Sequence, residues 1–267
     1  MKNQQAHILL YGLALAAFLL AGALMLIRPE LAAIPLAGFI LVCLLAPFFP
    51  AAGLLLPVIR RGERNSKQVA LTFDDGPHPY TTPSLLQLLA QHRIHATFFV
   101  LGHNAQTHPE LIQAILEAGH DLGNHTYSHD PLIMLKTAKR LAQEIDAAQR
   151  EIASHRVQPL AFRPPAGIVN PKLGPLLQAR GMLCVHYSCK AYDLGNRRIQ
   201  GLAGRILNKV QAGDIVLLHD IAPQSSHFRH EQWLAEIEEL LQGLSQKGLQ
   251  VRPLQELIQR PVLLRTH

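Results

Sequence analysis

The sequence predicts an α/β fold: a distorted, incomplete (β/α) barrel of about seven strands, preceded by a transmembrane helical hairpin. Three observations lead there. Residues 3–59 carry only Arg28 and Glu30 as charges while the remainder is mixed; beyond residue 68 short apolar, β-rich runs alternate with helical patterns; and the polar residues that break those runs fall at their ends.

Taken in order, residues 8–27 are twenty positions without a charge, and 31–59 form a second uncharged run separated from the first by Arg28, Pro29 and Glu30. Each is long enough to cross a bilayer, and the immediate return of apolar sequence argues against a cleaved leader. Pro35, Pro47, Pro50 and Pro57 interrupt the second run, so it is either a second crossing or a broken, re-entrant segment. Lys2, Arg28, Arg60, Arg61, Arg64 and Lys67 stand against Glu30 and Glu63 in residues 1–67, so +4 of the chain's +6 lies there. The basic excess is juxtamembrane, suited to membrane lipid headgroups, and leaves no footprint for nucleic acid. Lys2 and the 60–67 cluster flank the hairpin on one side. By the positive-inside rule that side is cytoplasmic, which makes the chain a multi-pass plasma-membrane protein with its C-terminal domain in the cytoplasm.

Residues 1–67 are thus the anchor and 68–267 the folded domain. Its expected strands are 69–73, 96–101, 121–124, 160–163, 182–188, 214–219 and 249–252. The expected helices are 82–92, 109–118, 133–155, 171–180, 199–211 and 231–247, with Gly119, Gly181 and Gly248 just past three of the ends. Cys43 lies in the second apolar run, and Cys184 and Cys189 share one expected strand. Their spacing matches no disulfide framework or zinc pattern.

Asp74 and Asp75 end the first strand, and Gly76-Pro77 forces a turn after them. Adjacent side chains on an extended backbone diverge, so one carboxylate can ligate a cation while the other faces a substrate. His125 and His129 are spaced i,i+4, on one face if that loop is a helical turn; with fifteen histidines in the chain, the spacing alone decides little. Added to Asp75 they complete two imidazoles and a carboxylate, a set shared by catalytic zinc centres and by non-haem iron oxygenases. The oxygenases keep the carboxylate close behind the first histidine on a β-barrel; here it lies far upstream in an α/β pattern. Arg163, before Pro164-Pro165, can pair with Asp74. His219 ends an apolar strand, where it can protonate a leaving group, and Asp193 can orient it.

Together these residues resemble one family, the NodB-homology polysaccharide deacetylases, also called carbohydrate esterase family four. Thr72-Phe73-Asp74-Asp75-Gly76-Pro77 is similar to its first motif, His125-Thr126-Tyr127-Ser128-His129 to its second, Arg163-Pro164-Pro165 to its third and Leu217-Leu218-His219 to its fifth, while Ala96-Thr97-Phe98-Phe99-Val100 is similar to its second core strand. The resemblance runs from Gln68 to about Pro253. It implies one divalent ion, zinc first with cobalt or manganese as alternatives, held by Asp75, His125 and His129. It further implies Asp74 as general base tethered by Arg163, His219 as general acid tethered by Asp193, and Ala166 and Leu217 on the substrate and oxyanion side.

Two positions depart from the family pattern. Ala166 stands where an aromatic is usual, and Lys190-Ala191-Tyr192-Asp193-Leu194 stands where Asp-x-x-Asp-Trp is usual. Sugar polymers stack on such aromatics. The expected function is metal-dependent hydrolysis of an N-acyl group, acetyl above all, from an amino sugar that is lipid-linked or otherwise close to the membrane. The alternative is a non-catalytic, membrane-tethered sugar-binding protein on the same fold.

Overall fold

The computed structural model describes residues 2–64, 67–222 and 230–266. Helix α1 (Lys2–Ile27) and helix α2 (Ala33–Leu45) are joined by a 3-10 turn at Pro29–Leu31. Within them the stretches Leu9–Ile27 and Pro29–Phe48, each of mean hydropathy 2.4, are long and apolar enough to cross a membrane. Leu19, Leu26 and Leu44 point outward, as suits a membrane anchor or a signal sequence.

The apolar run 31–59 divides in two. Pro47 and Pro50 cannot donate to a helical ladder, and 3-10 turns at Ala46–Phe48 and Pro50–Ala52 end the helical part there. Leu55 and Leu56 then bury themselves in one cluster with Ile133, Leu173 and Met182 of the folded domain. The N–H of Val169 donates to Pro47 O, a second tie between the end of the hairpin and the domain.

From there the chain alternates strand and helix: β1 (Gln68–Asp74), α3 (Thr82–Gln91), β2 (Thr97–Val100), α4 (Gly102–Thr107), α5 (Pro109–Glu117), β3 (Asp121–Asn124), α6 (Ala138–Ala153), β4 (Val157–Pro159), β5 (Ala161–Phe162), α7 (Leu173–Gln178), β6 (Leu183–Cys184), β7 (Cys189–Lys190), α8 (Leu202–Leu207), β8 (Ile215–His219), α9 (His230–Gln246), β9 (Gln250–Val251), α10 (Leu254–Ile258) and β10 (Leu263–Arg265). Seven strands form one curled sheet in the order β6-β5-β3-β2-β1-β8-β7, parallel at every pairing. This is the expected incomplete barrel. β9 extends it beside the start of β1, and β4 pairs separately with β10. The last pair, α4 and α10 are too short to leave a periodicity in the sequence.

Of the expected strand 182–188 only β6 forms, at one edge of the sheet, and β7 begins just past it at the opposite edge. β6 bonds to β5 and β7 to β8, and residues 185–188 cross the seam where the curled edges meet. Edge groups left open there need partners. Ile59 supplies them: its N–H donates to Cys184 O at 2.9 Å and its carbonyl accepts from His186 N–H at 2.7 Å. Arg61 Nε lies 3.2 Å from Asp214 Oδ1 at the same seam. Cys184 and Cys189 therefore sit on different strands, both as buried free thiols.

Alternation along the strands sorts the core. Leu71 and Phe73 of β1, with Val216 and Leu218 of β8, face outward against helical residues such as Ile112, Trp233 and Ile237. Ala70 and Ile215 face inward, where Leu254 and Leu257 of α10 close the floor. The same period turns Thr72 and Asp74, Leu217 and His219 into the cup of the barrel.

Candidate active site

The cup is built at the C-terminal ends of the strands. Asp74 and His219 are register partners on β1 and β8, so their side chains open onto the same space. Asp75 follows with φ 73, a left-handed conformation that turns its carboxylate away from that of Asp74. The turn after it admits only glycine, because a Cβ on Gly76 would meet Asp220 Oδ2 at 2.6 Å. Asp220 clamps this turn from β8: it accepts from Thr81 Oγ1 and Thr82 Oγ1, each at 2.6 Å, and its N–H donates to Asp74 O. Burial pushes its carboxyl up to about 6 against the pull of those hydroxyls.

Arg163, fully buried at the end of β5, reaches across the cup. Its Nη1 donates to Asp74 Oδ1 at 2.6 Å and to Thr72 Oγ1 at 2.8 Å, its Nη2 to His186 O and its Nε to Val185 O. The guanidinium lies 3.9 Å from the centre of the Phe99 ring. These contacts fix one face of Asp74 and leave Oδ2 toward His125 Nε2, 3.9 Å away.

His125 donates Nδ1–H to Arg163 O at 2.7 Å, which leaves Nε2 as the lone-pair nitrogen. That nitrogen lies 3.4 Å from Asp75 Oδ1, and His129 Nε2 lies 3.3 Å from the same oxygen. The three ligand atoms all fall within 4.8 Å of one another, and Asp75 Oδ1 is buried with no hydrogen-bond donor. An unpartnered buried carboxylate oxygen facing two imidazoles fits a divalent cation, and the donor set is one that zinc accepts. Burial works against charge on Asp75, yet the neighbouring imidazole of His125, with those of His219 and His129, holds its carboxyl below the usual range.

The two histidines converge by a different route from a helical turn. Residues 125–129 are a loop with left-handed backbone at Thr126 (φ 71) and His129 (φ 53). Such conformations persist where the surroundings enforce them. Here Glu144, buried on α6, accepts from Tyr127 N–H, Ser128 N–H and Ser128 Oγ.

Across the cup, His219 Nδ1 is 2.8 Å from Asp193 Oδ2. Burial alone would lower the imidazole; the bond and charge of Asp193 outweigh it and push His219 up to about 9. Asn196 holds the backbone beneath, donating to His219 O and Ile221 O. Ala166 lies in the Pro165–Gly167 turn at φ 55, three residues past Arg163, and Leu217 is buried on the inward face two residues before His219.

Seven of the nine residues singled out in the sequence are thus linked by direct polar contacts, and Ala166 and Leu217 flank them by position. Four supporting groups were missed. Asp220 could have been found beside His219 at the strand end, and Glu144 as a charge on the apolar face formed by Leu141, Ile145 and Ala148. Thr72, which accepts from Arg163, was read only as the first residue of a motif, and Asn104, whose Nδ2 donates to Asp75 O, carries no signal in the sequence.

A curled parallel half-barrel with a buried Arg163–Asp74 pair, a His219–Asp193 pair and a three-ligand cluster at its strand ends has the architecture of a carbohydrate deacetylase. Comparison with known proteins gives the family. The sequence profile of the family described as "Polysaccharide deacetylase" matches residues 61–185. A chitooligosaccharide deacetylase of Bradyrhizobium sp. (strain ANU 289) is 33% identical over 200 residues, covering 72% of this chain and 91% of the relative. A peptidoglycan-N-acetylglucosamine deacetylase of Bacillus cereus is 32% identical over 196 residues, covering 73% and 89%. The crystal structure of a peptidoglycan N-acetylglucosamine deacetylase superposes with a TM-score of 0.69 at 27% identity, covering 77% of this chain and 94% of that one. The chain belongs to the polysaccharide deacetylase family.

Proposed function

We propose that this protein is a membrane-anchored, metal-dependent hydrolase that removes an N-acyl group, acetyl above all, from an amino sugar. The observation that carries the reading is the pair of buried contacts, Arg163 with Asp74 and Asp193 with His219, set on either side of the Asp75, His125 and His129 cluster. Those three residues would hold the ion, zinc first, with cobalt or manganese as alternatives. When bound, a divalent ion there acidifies water and polarises an acyl carbonyl.

The chain's own groups then divide the work. Asp74, held in place by its ion pair with Arg163, takes the proton of the attacking water. The backbone N–H of Ala166 is the donor offered to the oxyanion, and Leu217 lines the acyl side. His219, kept protonated by Asp193, delivers its proton to the departing nitrogen.

The relatives named above act on chitooligosaccharides and peptidoglycan. For this chain we favour a lipid-linked or other membrane-proximal amino sugar, with polymers as the wider class. The Pro47–Val169 bond supports this, since it places the end of the apolar hairpin three residues from the Ala166 turn. In this reading residues 1–67 serve as the anchor and 68–267 as the catalytic domain, and the charge bias of the basic flanks favours the cytoplasmic side of the plasma membrane.

Acetate release by the full-length protein in detergent, assayed on N-acetylated oligosaccharides and prenyl-linked N-acetyl sugars, tests the activity. Release should stop on chelation and return with zinc, and His125→Ala should lose stoichiometric metal. Absence of release from every N-acetylated sugar, with metal loaded, would sink the reading.

A further inference from the structure

One wall of the cup carries charge that the catalytic groups do not use. Cys189 faces outward into the helical core, so alternation turns Lys190 inward; Lys190 is in register with Leu217, which shares the inner face with His219. The half-buried ammonium of Lys190 donates to Tyr187 Oη at 3.3 Å. That hydroxyl is 3.0 Å from where a Cβ on Gly167 would lie, so Lys190 is one side chain away from the Ala166 turn.

The ammonium also sits 5.2 Å from the centre of the Tyr187 ring and 4.6 Å from that of Tyr192, and Lys209 Nζ lies 5.0 Å from the same Tyr192 ring. Tyr192, just past β7, is exposed and stands at φ 56, a left-handed backbone conformation. Among the described residues, no carboxylate lies within 4.0 Å of either ammonium. The nearby acids are engaged elsewhere, Asp193 with His219 and Asp214 with Arg61. Arg60 adds a further cation behind this wall, donating Nε–H to Tyr187 O.

One tyrosine face accounts for one ammonium by cation–π attraction. Neither ammonium has an ionic partner among the described residues, and an anion beside Tyr192 would supply one. Lys190 also stands where the family pattern has the first aspartate of Asp-x-x-Asp-Trp, which reverses the charge of this wall. A neutral chitin-like sugar has no use for such a change.

We propose that Lys190, with Tyr187, Tyr192 and Lys209, forms a subsite for an anionic substituent, phosphate or carboxylate, on the amino sugar whose acyl group is removed. This rests on the deacetylase reading for what happens to the sugar, but the charge preference is a property of binding. Lysine serves phosphate and carboxylate alike as a point charge, and the tyrosine ring beside it gives the sugar an apolar face. A substituent on a ring carbon near the acylamino carbon brings its charge to this wall while the acyl group enters beside Leu217.

The test uses the full-length protein in detergent and three probes: N-acetylglucosamine, N-acetylglucosamine 1-phosphate and N-acetylmuramic acid. Titration calorimetry should give at least one anionic sugar a Kd about tenfold or more below that of the neutral one, and which anion wins identifies phosphate or carboxylate as the source. Lys190→Met should erase the preference, Lys190→Arg keep it, and Lys190→Glu invert it. In the wild type the preference should shrink from 20 mM to 500 mM salt, a readout that needs no variant to fold. Equal binding of all three sugars, or a preference that survives both Lys190→Met and high salt, overturns the subsite. Charge-selective binding without acetate release from any probe leaves the subsite standing and counts against the deacetylase reading instead.

Discussion

Arg163 Nη1 and Asp74 Oδ1 are 2.6 Å apart at a point where the arginine is fully buried and the aspartate almost so. Neither charge has water to fall back on, so each depends on the other. Removing one partner of such a pair strands the other, at a cost of about 3–5 kcal/mol. Arg163→Met should therefore lower the melting temperature by roughly 10 °C, since about 2–4 °C accompanies each kcal/mol in a domain of this size. Asp74→Asn should keep the fold and the metal yet lose about a hundredfold or more in kcat, because the amide cannot accept the proton. Combining the two should recover part of the melting loss, as no charge is then stranded. A double variant less stable than Arg163→Met would show that Arg163 acts as a packing element and that Asp74 is not the group it supports.

His219 and Asp193 lend themselves to a test by pH. Asp193 raises the imidazole to about 9, so the acid form persists below that value and is lost as pH rises through it. Asp193→Asn keeps a hydrogen-bond acceptor but removes the charge, leaving burial to lower the imidazole. The basic limb of the kcat/KM profile should move to lower pH, with the largest loss of rate near pH 8 and little loss near pH 6. The stability from the pair follows the same sign: present in full below the ordinary histidine value of about 6.5 and lost as pH climbs toward 9. An Asp193→Asn profile with an unmoved basic limb and a uniform rate loss would assign Asp193 to structure alone.

How far the sequence led depends on the element. β1, β2 and β8 were readable because apolar runs end at punctuating aspartate, glycine or histidine, and candidate site residues stand at the ends of β1 and β8. The run 182–188 misled because closure of a curled sheet makes one apolar stretch serve both edges; no local pattern distinguishes that from a single strand. The run 31–59 misled in the same way, since burial against Leu173 and burial in a membrane both select apolar side chains. The i,i+4 spacing of His125 and His129 pointed to the right partners for the wrong geometric reason. Left-handed backbone at Thr126 and His129, imposed by Glu144 from another element, does what a helical turn was expected to do.

Asp220 was overlooked beside His219 at the strand end, and its effect should be measurable. It holds the hydroxyls of Thr81 and Thr82 and stands against Gly76, so it sets the turn that aims Asp74 and Asp75. Asp220→Ala leaves two buried hydroxyls without acceptors, a loss of about 2–4 kcal/mol, and should cut kcat/KM about tenfold through misplaced carboxylates. Asp220→Asn should be milder in both. Because burial lifts the native carboxyl from its ordinary 3.8 to about 6, the folded state holds a proton that the unfolded chain releases. Wild-type stability should therefore fall relative to Asp220→Asn as pH rises from about 4 to 6, and level off above. Melts showing no pH dependence of that difference would place Asp220 in a wetter environment than the one described.

The side of the membrane on which the site works is open to a direct measurement. The stretches Leu9–Ile27 and Pro29–Phe48 are both long enough to cross, and two crossings return the chain to the side of Met1. Lys2, Arg60, Arg61, Arg64 and Lys67 bracket the hairpin on that side, against Arg28 alone in the turn between the stretches. Each misplaced basic residue opposes the reversed orientation, while Glu30 and Glu63 weigh little. The weak element is α2, whose 13 residues give about 20 Å of helix against a hydrocarbon core of roughly 30 Å, so the 3-10 turns at its ends must complete the span. A phosphatase active only outside the cytoplasm, fused after His267, should be silent, and a fluorescent reporter that matures only in the cytoplasm should be bright at the same position. The opposite pattern would mean that the second stretch dips and returns, and would move the substrate from an inner-leaflet sugar to one in the cell wall or beyond.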